Sequence, residues 1–172
     1  MSAVLTPPRP GAAPPAARGR RELAARAEAG LKVFLQKWSV PAARVSLGAI
    51  FFAFGVLKYF PGVSPAEGLV QRTFDKMTFG IVGPTAAMVI TATVECAAGL
   101  MLMAGGRFTR PGLLTFAAAE VGILSSFVLL FDEMFTQTGP SLAGQYVLKN
   151  FVLIAAAAVV AAKALRGPEP RV

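Results

Sequence analysis

Four stretches of the chain are nearly unbroken runs of apolar and small residues: 42–60, 84–104, 113–131 and 145–165. A helix needs about 17 to 25 residues to cross a hydrocarbon core, so each run predicts one transmembrane span. Ahead of them, "ELAARAEAGLKVFLQKW" places Leu23, Ala27, Leu31, Phe34 and Leu35 at helical spacing, with Arg26, Glu28, Lys32 and Lys37 elsewhere around the wheel. That pattern predicts an amphipathic helix over 22–41, lying on the membrane surface or leading into the first span. Residues 1–21 are rich in Pro, Ala, Gly and Arg and hold no apolar run of signal-peptide length, which predicts a disordered basic tail. Residues 166–172 form a short tail at the other end. The connections differ: 62–83 is mildly amphipathic and suits a helix along the outer surface, whereas "GGRFTRPG" offers Gly105 and Gly106 for a tight turn and Pro111 for a helix start. "DEMFTQTGPSLAG" joins the third span to the fourth.

Composition agrees with this pattern. Hydrophobic residues make up 55% of the chain and charged ones only 15%, and the mean hydropathy is +0.60. In a soluble protein a formal charge of +8 would suggest nucleic acid as a partner, but here the basic residues flank the apolar runs, so no nucleic-acid role is expected. Arg9, Arg18, Arg20, Arg21, Arg26, Lys32, Lys37 and Arg44 precede or open the first span; Arg107 and Arg110 lie between the second and third, and Lys163, Arg166 and Arg171 close the chain. On the opposite side Arg72 and Lys76 are offset by Glu67 and Asp75, joined by Asp132 and Glu133. This bias predicts that both termini are cytoplasmic, in a multi-pass protein of the cell membrane. The expected fold is therefore all-α and integral to the membrane, a four-transmembrane-helix bundle. The basic N-terminal region is a candidate contact for anionic lipids.

Five polar residues fall inside the spans: Lys58 near the outer end of the first, Glu95 and Glu120 near the centres of the second and third, and Lys149 with Asn150 in the fourth. A central acid costs about 2.5 to 3.5 kcal/mol on insertion scales, so these side chains should face inward and find partners. At about 1.5 Å per residue, Glu95 lies roughly 16 Å below the outer edge and Lys58 about 3 to 5 Å. Helical side chains lean toward the N-terminus of their own helix, so Lys58 and Glu95 lean toward each other. Lys149 leans outward, toward a ligand head group, helix-end carbonyls or the Asp132–Glu133 pair. Glu120 has no basic partner at its depth and is expected to be protonated. Three readings follow: interhelical packing by buried polar pairs, a polar pocket for a small amphipathic ligand such as a quinone, or a proton or ion pathway. Gly48 and Gly55, a heptad apart, suit close helix approach. The sequence has one cysteine, Cys96, and no histidine, so neither a CxxC pair nor the usual haem, zinc or copper ligands are available. No cofactor bound covalently or through metal ligands is expected, and electrons would come from a partner's redox centre.

The segments "ARVSLGAIFFAFGVLKYF", "TVECAAGLMLMAGGRFTRPG" and "GQYVLKNFVLIAAA", in this order and spacing, resemble the DoxX and DoxX-like family over about residues 42–165. Arg44, Gly48, Gly55, Lys58, Glu95, Lys149 and Asn150 are the positions that match. The resemblance implies a compact four-helix membrane bundle. It also implies, for some members, service as the membrane subunit of a thiosulfate to quinone oxidoreductase or of a complex handling thiol and oxidative stress. Together these readings make Glu95 and Lys58 the candidate catalytic pair and Lys149, Asn150 and Glu120 candidate ligand-binding residues. A quinone would be the substrate, a soluble or membrane redox protein the partner. The competing expectation is a non-catalytic assembly or anchoring subunit, and the third a small transporter.

Overall fold

The computed structural model describes residues 15–166 and is all-helical apart from one two-residue β-ladder. Residues 1–14 of the expected tail and 167–172 lie outside the described residues. The chain divides into two compact units, Met1–Ser39 and Val40–Val172.

Helix α1 runs from Pro15 to Leu57 and contributes to both units. The separate helix expected over 22–41 is thus the first part of a longer one, and residues 15–21 are helical too. The sequence between the two expected elements, "WSVPAARV", holds no Gly or Asn to stop a helix. Pro41, the one breaker, removes a single backbone hydrogen bond without ending α1. In the first unit Leu23, Leu31, Phe34, Leu35 and Trp38 are all exposed, so the apolar stripe read from the sequence stands uncovered, and Lys37 Nζ lies 5.5 Å from the centre of the Trp38 ring.

In the second unit, α2 (Glu67–Thr78) is followed by α3 (Pro84–Ala104), which has the bounds expected of the second span. A 3₁₀ turn at Gly106–Phe108 leads into α4 (Thr109–Leu129). Helix α4 begins four residues earlier than the pattern indicated, because Pro111 sits in its first turn, where a missing N–H costs nothing. The segment 131–141 is more ordered than a plain connection: a single turn α5 (Phe131–Met134), then strands Phe135–Thr136 and Gly139–Pro140 paired antiparallel. The last span is two pieces, α6 (Leu142–Leu148) and α7 (Asn150–Leu165). Ser141 caps α6, its Oγ accepting from Gly144 N at 3.1 Å.

Four helices or helix pairs, 21–57, 84–104, 106–129 and 142–165, are long and apolar enough to cross a membrane. Two apolar clusters hold the bundle. One joins Leu47 and Phe51 of α1, Ala98 and Leu102 of α3, Phe116 of α4 and Ala157 of α7. Its centre is the Phe51–Phe116 pair, with ring centroids 4.5 Å apart. The other joins Leu69 of α2, Leu130, Met134 of α5 and Val147 of α6. We refer to the end of the unit near α2 and α5 as the lid end, and to that near the Gly106–Phe108 turn as the turn end.

Candidate functional site

A single stripe of α1 sets the geometry. Arg44, Gly48, Phe51, Gly55 and Lys58 follow one another at helical three- and four-residue steps and so share a face. That face packs on α3. A Cβ placed on Gly48 would stand 2.7 Å from Gly99 O, and one on Gly99 would stand 2.6 Å from both Gly48 O and Phe52 N. At Gly55 an added Cβ would meet Cys96 Sγ at 2.8 Å and Glu95 Cβ at 3.0 Å. Backbone therefore touches backbone at two points a heptad apart, the arrangement that small residues permit in apolar surroundings. Arg44 ends the stripe: its Nη1 donates to the carbonyls of Leu102 and, at 3.0 Å, Met103, satisfying the last turn of α3. The same guanidinium fills the place a side chain would take at Gly105, whose φ of +71° already favours glycine.

Because Gly55 lies level with Glu95 and Cys96, α1 stops at the middle of α3. Glu95 is the twelfth residue of that 21-residue helix. The first apolar helix ends at Leu57 rather than at 60, and it ends level with the middle of α3. Lys58, Tyr59 and Phe60 instead continue as turns, donating to Gly55 O, Val56 O and Leu57 O at 3.0, 3.1 and 3.3 Å. Tyr59 Oη is 2.9 Å from Thr93 Oγ1, which fixes the same register. Lys58 Nζ reaches Glu95 Oε2 at 2.6 Å and Phe54 O at 3.4 Å. Both residues are only 4% exposed, so this is a buried, charge-assisted hydrogen bond with little water to weaken it.

Beside the pair lies a cavity of about 160 Å³ lined from all sides. Phe54 comes from α1 and Lys58 from the turn after it, Glu95 and Thr91 from α3, Ser126 from α4, Tyr146 from α6 and Asn150 from α7, with Lys149 at the junction of the last two. Helix α2 closes it with Leu69, Val70 and Thr73, so the 62–83 connection forms a wall of the site. Two contacts hold α2 in place on its solvent-facing side: Arg72 pairs with Glu133 at 2.8 Å, and Lys76 Nζ donates to Leu129 O at 2.7 Å.

Lys149 pairs with neither Asp132 nor Glu133. Its Nζ stands 3.6 Å from the centre of the Tyr146 ring and 4.1 Å from that of Phe54, a two-faced cation–π contact, while Glu133 is engaged by Arg72. The two rings meet edge to face with centroids 6.0 Å apart. Asn150 explains the break in the fourth span. Its buried Nδ2 donates to Tyr146 O at 3.4 Å and Val147 O at 3.2 Å, competing with the backbone ladder where α6 gives way to α7. The break turns Lys149 toward the cavity.

The structure thus brings Lys58, Glu95, Lys149 and Asn150 to one cavity. Glu120 is not in its lining. It is 3% exposed, at the middle of α4, and neither carboxyl oxygen has a hydrogen-bond partner. Arg44, Gly48 and Gly55 act on the cavity at a distance, through the packing of α1. Tyr146, Phe54 and the α2 residues were not legible as site residues. Only the three-residue step from Tyr146 to Lys149 hinted that both share a face. The chain matches no family model, no curated protein and no solved structure.

Proposed function

We propose that this is a DoxX-like multi-pass membrane protein whose mid-bundle cavity receives the ring of a lipid-soluble quinone, the electrons coming from a partner's redox centre. The supporting observation is the cavity itself. At about 160 Å³ it is close to the size of cavities that accept a benzene ring, and its mostly apolar wall carries Lys58, Glu95, Lys149, Asn150 and Tyr146, while the hydroxyls of Thr73, Thr91 and Ser126 are bonded to carbonyls of their own helices. A quinone carbonyl needs a donor. Lys149 Nζ is free to turn from the two rings and supply one, and Tyr146 offers another. Reduction of a quinone to its quinol takes two electrons and two protons. The partner delivers the electrons, and Glu95, relayed through Lys58, is the group placed to pass protons. In this reading both termini are cytoplasmic, and the enzymatic activity belongs to the complex.

One observation favours a second reading. The Lys58–Glu95 contact is short, dry and mutually satisfied, as expected of a pair that fixes helix packing in an assembly or anchoring subunit. Thermal melting of the detergent-purified protein with a short-tailed benzoquinone separates the two. The quinone reading expects ligand-dependent stabilisation of the wild type that Lys149→Leu and Tyr146→Phe abolish, although both variants accumulate normally. Absence of any shift in the wild type would leave the packing reading standing.

A further inference from the structure

The turn end carries a second pocket of about 510 Å³, walled by α1, the Gly106–Phe108 turn, the start of α4 and the last turn of α7. Four cations line it: Arg44, Arg107, Arg110 and Lys163. Among the described residues no carboxylate does. Among the described residues, the acids of the second unit are Glu67, Asp75, Asp132 and Glu133 at the lid end, together with Glu95 and Glu120 at mid-helix.

The four cations are not equivalent. Arg44 is held by the carbonyls of Leu102 and Met103, and Arg110 donates through Nε and Nη2 to Ala164 O at 3.2 and 3.1 Å. These two finish the C-terminal ends of α3 and α7, and each keeps further N–H donors, since a guanidinium has five. Arg107 lies 4.8 Å from the centre of the Phe108 ring, and Lys163 has no ion-pair partner among the described residues; both side chains are exposed. The rest of the lining includes Val40, Val160 and Ala164, apolar groups beside the charged rim.

Fixed guanidiniums at the base, two uncommitted cations at the rim and an apolar wall suit an anion that brings hydrocarbon with it. We propose that this pocket binds the phosphate group of an anionic membrane phospholipid, with Arg107 and Lys163 closing on the phosphate and the acyl chains running down the grooves between α1, α4 and α7. Phosphate pairs well with planar guanidinium donors, and basic pockets between membrane helices favour such head groups. A soluble phosphate ester would use the same polar contacts without the apolar wall. The site is independent of the quinone cavity.

The test titrates the full-length detergent-purified chain with phosphatidylglycerol, with phosphatidylcholine and with inorganic phosphate, reading affinity by thermal shift. Phosphatidylglycerol should stabilise the protein and phosphatidylcholine should not. Replacing both rim cations, Arg107→Gln with Lys163→Gln, should weaken phosphatidylglycerol binding about 30-fold, since each basic residue near an anionic head group contributes about a factor of five. Neither rim residue caps a helix, so the unliganded melting temperature should hold; Lys163→Glu alone gives a second reading in the same direction. Stabilisation by inorganic phosphate alone, lost in the double variant, would retain the phosphate site and assign it a soluble ligand. Equal shifts with both lipids, no shift with any anion, or an undiminished shift in the double variant would overturn the proposal.

Discussion

The mid-bundle cavity and the turn-end pocket are built from the same kinds of side chain and reach opposite solutions. Beside the cavity a cation and an anion from neighbouring helices neutralise one another at 2.6 Å, buried to the same degree. At the turn end the fixed cations find, among the described residues, only carbonyl oxygens, which satisfy hydrogen bonds but leave the charge in place. The difference is one of depth. A charge at mid-helix must be paired, because moving it out of water unpaired costs more than a small bundle can offset, whereas cations at helix ends stay wet and can remain in excess. One region is therefore suited to a neutral, ring-sized guest and the other to an anion.

Removing one partner of the inner pair should break this comparison most sharply. Lys58→Met leaves Glu95 buried without its cation and should cost about 3–5 kcal/mol, read as a large fall in melting temperature. Adding Glu95→Gln should restore most of the loss, and a double variant no better than the single would show that the two groups are not coupled. Glu120 sharpens the contrast from the other side, as a mid-helix acid with no donor on either oxygen. Glu120→Met should stabilise the bundle by about 1–4 kcal/mol, and a loss of stability instead would reveal a partner for it. At the turn end Arg44→Leu leaves the carbonyls of Leu102 and Met103 to water and should cost about 1–3 kcal/mol. Arg44→Lys should recover only part of that, because a lysine lacks the guanidinium's spread of donors.

Much of the bundle follows from the linear pattern. The apolar runs are long enough that α3 takes its predicted bounds, and the glycines of the 105–106 turn both adopt positive φ. Lys58 and Glu95 could be matched because buried charges must find each other and side-chain lean gives the direction. What the pattern leaves open is the level along α3 at which they meet. Periodicity records which face a residue occupies on its own helix, and nothing about how far one helix slides along the next. The close contacts at Gly48–Gly99 and at Gly55–Cys96 set that slide, ending α1 opposite the middle of α3.

The remaining site residues depend on the same kind of information. Lys149 reads in sequence as a cation leaning toward a ligand head group, helix-end carbonyls or the Asp132–Glu133 pair. Only the placing of α2 beside α5 gives Glu133 to Arg72, and only the break at Asn150 turns Lys149 onto the rings of Phe54 and Tyr146. The sequence by itself determined four apolar helices, their charge asymmetry and the need for the inner charges to pair, because these depend on the transfer free energies of single residues and segments. Tertiary structure alone decided the level along α3 at which the pair meets, the wall that α2 adds to the cavity and the grouping of four cations at the turn end. Each of these depends on contacts between residues dozens of positions apart, brought together by the register of one helix against another.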